Sequence, residues 1–185
     1  MTTTSKNARV AGLLYLLLVI LGPLRLIYIP RTLFVHGDAA ATAHNIATHE
    51  TLFRLGMVGD VLGGAMLIFL ALALYRLFKG VDQNHALLVL ILGGVMPAAI
   101  YFFNVANDVA ALTLVRGADS LSVFDKPQRD ALAMLFLGLH DGEVVAAETL
   151  WGLWLFRWRS SCTGRASCRA SWASGWRSAV SPTWP

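Results

Sequence analysis

The chain has 185 residues, of which 56% are hydrophobic and only 14% charged, and its mean hydropathy is +0.59. Soluble domains carry about 25% charged residues, so this composition argues against a water-soluble enzyme, a disordered chain or a nucleic-acid binder. The net charge of +4 sits at one end: the last 29 residues hold Arg157, Arg159, Arg165, Arg169 and Arg177 and no acid, while the first 156 carry ten basic and eleven acidic residues. The body is thus slightly acidic, and the basic total names no acidic partner for it. Both cysteines, Cys162 and Cys168, are in the tail. The body therefore has no disulfide framework and no thiolate metal site.

The first apolar run is 10–29, interrupted only by Arg25 and preceded by Lys6 and Arg9. A signal peptide has a shorter apolar core with a small-residue cleavage site behind it. This run is longer and ends in Tyr28-Ile29-Pro30, so it predicts an uncleaved membrane-spanning helix. Pro23 removes a backbone donor inside it and predicts a kink. Residues 31–52 are polar, and Asp38 is placed to cap a short helix lying on the membrane surface or on the bundle. Further spans are predicted at 53–78, 85–115 and 131–156, each above the ~20 residues that cross a bilayer core. The turn over 79–84 is short enough to force antiparallel neighbours. The loop over 116–130 is charged and solvated. There is no glycine-rich phosphate loop, no repeat and no strand alternation.

The fold expected is therefore all-α, a polytopic bundle with four spans in a cell membrane. Basic residues in the body divide almost evenly between the two sides. The tail arginines tip the N-terminus to the cytoplasm by the positive-inside rule.

The tail changes character after Phe156: residues 157–185 contain no Leu, Ile, Met, Phe, Tyr or Lys, yet hold four tryptophans. Disordered tails are poor in aromatics, and a surface anchor would show an amphipathic period. Its residue types are those of GC-rich codons. Read one base earlier, such codons can give apolar runs split by a YGSGFLPR turn. A shifted reading frame is the expectation that restores the membrane pattern.

The stretches Ala8-Arg9-Val10-Ala11-Gly12-Leu13-Leu14-Tyr15, Gly22-Pro23, Leu52-Phe53-Arg54-Leu55-Gly56 and Leu72-Ala73-Leu74-Tyr75-Arg76-Leu77 follow one another in order. So do Gly117-Ala118-Asp119-Ser120-Leu121-Ser122-Val123-Phe124, Leu139-His140 and Trp151-Gly152-Leu153-Trp154-Leu155-Phe156. Over 8–156 the chain resembles the domain-of-unknown-function 4386 family of bacterial multi-pass membrane proteins. The resemblance implies a bundle of about six spans whose members continue past WGLW with a proline and a SGFLPR-like element. It implies no activity and no catalytic residues. The acids at Asp141, Glu143 and Glu148 depart from the family's pattern.

Ionisable groups at membrane depth cost about 2.5–3.5 kcal/mol on insertion scales and mark functional sites by default. The candidates for a polar seam are Asp60 in the second span, Asn104, Asn107 and Asp108 in the third, and His140, Asp141, Glu143 and Glu148 in the fourth. Asn104 and Asp108 share a helix face, as do His140 and Glu143. The plainer reading places Asp60 and Asp108 at the headgroups and uses Asn and His to join helices. No metal site is read, because His140-x-x-Glu143 offers two ligands where three or four are needed. No cofactor motif and no nucleophile context occurs. Gly59 and Gly63 form a small-xxx-small pair suited to packing inside the bundle or, second, to self-association. Trp151 and Trp154 read as interface anchors. The role expected is non-enzymatic, structural or accessory. The alternatives are a small transporter or proton conduit using the acids of spans three and four, or an integral membrane enzyme. The partner expected first is the lipid bilayer, with self-association through Gly59 and Gly63 second and no nucleic acid.

Overall fold

Three apolar stretches become long helical rods in the computed structural model, which describes residues 3–163, with side chains from Lys6 to Leu153. Every regular element among them is helical. Helix α1 (Thr3–Pro23) passes through a π turn (Leu24–Tyr28) into α2 (Ile29–Leu33). A short α3 (Ala39–Thr48) leads to α4 (Glu50–Phe78). Helix α5 (Gln83–Leu90) passes through a second π turn (Ile91–Val95) into α6 (Met96–Arg116). A 3-10 turn (Asp119–Leu121) precedes α7 (Lys126–Thr163).

Lys6–Leu33, Glu50–Phe78 and Gln83–Arg116 are long and apolar enough to cross a membrane. Helix α7, the fourth expected span, has ample length at 38 residues. Its apolar stretch, however, holds Asp141, Glu143 and Glu148. It also runs helically to Thr163, seven residues into the stretch read as a separate tail. Residues 164–185, where most of the expected frame-shifted segment falls, lie outside the described part.

Burial supports the membrane reading. Only 6% of the most apolar window of the first rod is buried, and Leu13, Leu16, Val19 and Ile20 are all more than half exposed. Monomeric soluble proteins rarely expose contiguous apolar surface of this extent. In a bilayer the same face meets lipid and carries no hydration cost.

Each π turn closes one residue before a proline. Ile29 N–H bonds the Leu24 carbonyl and Met96 N–H the Ile91 carbonyl, five residues back, and Pro30 and Pro97 follow. A proline ring clashes with the carbonyl four residues earlier and offers no N–H to it. Widening the preceding turn relieves both problems. The irregularity expected at Pro23 therefore spreads over the turn between Pro23 and Pro30, and that turn carries Arg25.

Short-range chemistry sets the remaining ends. Asp38 accepts from Ala41 N–H at 2.9 Å to start α3. Buried Thr42 both accepts from Val35 N–H and donates to Val35 O. Asn45 Nδ2 donates to Leu33 O, satisfying a carbonyl left over at the end of α2. Asp82 starts α5, and the His85 backbone N–H that it accepts, followed by the His85 side chain, holds its carboxyl below the usual Asp range. Gly117 ends α6 at φ +71, a left-handed conformation open to glycine.

Small residues let α4 and the α5–α6 rod approach closely. A Cβ on Gly64 would sit 3.2–3.4 Å from Phe102, Tyr101 and the Ala98 carbonyl, and one on Gly94 would collide with Ala71 Cβ. Two apolar clusters result. One joins Ile29, Leu33, Ile46, Phe53, Ala111, Leu112, Leu114, Ala133 and Leu137. The other, further along, joins Ala11, Leu70 and Ala73.

Candidate functional site

Between the two apolar clusters lies a charged one built from four rods. Arg25 comes from the first π turn, Asp60 from α4, Asp108 from α6 and His140 from α7. Arg25 Nε donates to Asp60 Oδ2 at 2.8 Å, and Nη2 donates to Asp108 Oδ2 at 2.9 Å. Nη2 also lies 2.9 Å from His140 Nε2. Arginine has donors only, so this ring nitrogen accepts. Nη2 lies 3.3 Å from Nδ1 of the same ring as well, so it faces the ring edge that carries both nitrogens. That Nδ1 stands 3.1 Å from Asp108 Oδ1, an ion-pair distance when the ring is protonated, although the angle makes no hydrogen bond.

Exposure is 2% for Asp60, 1% for Asp108 and 6% for His140. Asp60 is ten residues in from the start of α4 and Asp108 eight from the end of α6, about 12–15 Å of helix. The two acids thus sit inside their rods rather than at the rod ends. One guanidinium thus faces two carboxyl groups and an imidazole.

The other predicted seam residues divide. Asn104 is 1% exposed, and its Oδ1 has no hydrogen-bond partner among the described residues. The same holds for Asn107 Nδ2 and Glu143 Oε2, both buried atoms. Buried polar atoms of this kind are usually satisfied by ordered water. Asp141 and Glu148 are exposed. The cluster thus joins Asp60, Asp108 and His140 but not Asp141 or Glu148. The residue missed by sequence reasoning is Arg25, which was noted only as an interruption. A lone cation in an apolar run was itself the signal, since such a group requires an acidic partner.

Asp60, Asp108 and His140 each offer a ligand atom, all within 4.8 Å of one another. That is one ligand more than the His140-x-x-Glu143 spacing offered. Arg25 already bonds all three residues and supplies the positive charge there, so a metal ion would have to displace it.

Beside the cluster, between α1 and α4, is a cavity of about 470 Å³. Arg25 and Asp60 border it, with Tyr101 and Trp151 further along and aliphatic side chains and glycines over most of the rest. Gly59 lies on its wall with open space where a Cβ would be, whereas Gly63 faces Tyr101 at 3.5 Å. Of the two glycines proposed for helix contact, one is used inside this chain and the other opens on the cavity.

Residues 10–159 match the family DUF4386, described as a domain of unknown function. No curated protein and no solved structure matches the chain. The match covers most of the sequence and agrees with the all-helical architecture and its three apolar rods, so the chain belongs to the DUF4386 family.

Proposed function

We propose that this is an integral cell-membrane protein, N-terminus in the cytoplasm, whose buried centre of Arg25, Asp60, Asp108 and His140 binds and releases a proton, as in a small transporter or conduit. The observation that carries this reading is the bond from Arg25 Nη2 to His140 Nε2 within a cluster of two buried acids and one guanidinium. A proton on Nε2 would set two donors head to head, so protonation and this bond exclude each other. Gaining the proton favours the His140–Asp108 pair and releases Nη2. Loss of the proton restores the bond. The unpartnered atoms of Asn104, Asn107 and Glu143 support the reading by offering places for water next to Asp108 and His140 on α6 and α7. The tail arginines support the orientation.

A structural or accessory role is the second reading, favoured because the same bonds tie four rods together. Proton uptake by the purified protein in nanodiscs separates the two. The proton-linked reading expects wild type to bind about one more proton per chain on acidification than His140→Gln or Asp108→Asn. Dye-loaded vesicles should show a matching fall in proton flux. Equal uptake and flux in all three proteins, with only lower unfolding temperatures for the variants, would leave the structural role.

A further inference from the structure

We infer that the cavity beside Arg25 binds an uncharged amphiphile from the membrane, with a hydrogen-bond-accepting carbonyl head at Arg25 and a long apolar tail laid between α1 and α4. The site shares Arg25 and Asp60 with the proposed proton centre, but it needs no proton to move.

Shape comes first. The lining runs from Leu55 to Leu74 on α4 and from Ile29 back to Tyr15 on the first rod. Nineteen residue steps of α4 are about 28 Å, close to the ~30 Å hydrocarbon thickness of a bilayer. The volume of about 470 Å³ falls among ligand pockets, which span about 300–1,000 Å³. The charged residues lie near the Leu55 end. From Asp60 to Leu74, about 21 Å of α4, the wall is apolar apart from the Tyr15, Tyr101 and Trp151 side chains. The space is a slot with one charged end.

The chemistry of that end selects the head. Arg25 Nε and Nη2 are occupied by Asp60, Asp108 and His140. Nη1 has no partner among the described residues, and the Arg25 side chain, 11% exposed, borders the cavity. Guanidinium donates and never accepts, so the head must be an acceptor. A full anion would have to compete with Asp60 and Asp108, two acids that already share the guanidinium. A cation would be set against Arg25. A neutral carbonyl takes the open donors without either penalty. Access is lateral, because the outward face of α1 is apolar and barely buried.

A glyceride ester and a prenylated quinone both present this chemistry. The test uses native mass spectrometry of the full chain with two probes, dioctanoylglycerol and a decyl-substituted benzoquinone. The expected result is one saturable adduct per chain. Binding of the benzoquinone alone identifies a quinone occupant, of the glyceride alone a lipid ester, and of both the shared chemistry. Gly59→Leu, whose Cβ meets open space, fills part of the slot, and Val19→Trp narrows it from the opposite wall. Each should weaken binding at least about tenfold while proton uptake stays at the wild-type level. The inference is overturned if neither probe gives a saturable adduct, or if both variants bind as wild type does. It also falls if a fatty-acid anion or a decyl ammonium binds more tightly than both probes. Adducts without proton uptake by wild type would remove the proton-linked reading and leave this one standing. Uptake without adducts would do the reverse.

Discussion

Arg25 is the residue on which the centre depends, because its one guanidinium reaches three partners on three other helices. Removing one member of a buried ion pair leaves an uncompensated charge and costs about 3–5 kcal/mol. Arg25→Met should therefore lower the unfolding temperature in nanodiscs far more than a change on the lipid face such as Ile20→Ala. Adding Asp60→Asn to Arg25→Met should recover part of the loss, since one of the two stranded carboxylates is gone. Arg25→Lys should fall between, as a single ammonium cannot present a planar fork to Asp60 and Asp108 together. An Arg25→Met protein as stable as wild type would mean that the three bonds do not hold the bundle. Asp60, Asp108 and His140 were all legible as candidates, because each is an ionisable group in an apolar stretch. Their convergence was not legible. It depends on rods separated by 35, 83 and 115 residues, and helical spacing orders groups only within one rod. Asp141 shows the limit on the other side: it adjoins His140 in sequence but points about 100° away around the helix, and it is exposed.

Among the elements, the spans were readable within a few residues at most ends, because length and hydropathy alone govern them. The π turns were not, since a proline announces an irregularity without saying how the preceding turn absorbs it. Close contact between rods was half readable: glycines were visible, but their partners were not. Gly94 supplies a test at this scale. Gly94→Ala would drive its Cβ into Ala71 Cβ, and overpacking of this kind costs about 1–3 kcal/mol. Ala71→Gly in the same chain should return much of that loss, which a double-mutant cycle of thermal unfolding measures directly. Additive effects would show that the α4 and α5–α6 rods are further apart than described.

For the whole molecule, the proposed cytoplasmic N-terminus, with crossings by the first, second and third rods, would place the turn after α4 inside and the loop after α6 outside. Val81 is 82% exposed and Val123 81% exposed, so a cysteine at either site is open to a water-soluble maleimide. In a background with Cys162 and Cys168 changed to serine, Val123→Cys should label in intact cells and Val81→Cys only after lysis. The opposite pattern would invert the orientation. The wiring of the centre also bears on how the chain enters the membrane during synthesis. Arg25 emerges first and its partners follow in a fixed sequence, Asp60, then Asp108, then His140. Until α4 is delivered, the first helix carries a bare cation through an apolar interior at about 2.5–3.5 kcal/mol. Its residence there is provisional, and the arrival of Asp60 is the event that commits it. On the proposed membrane placement, the acid of the second helix is the first latch that synthesis makes available to the first.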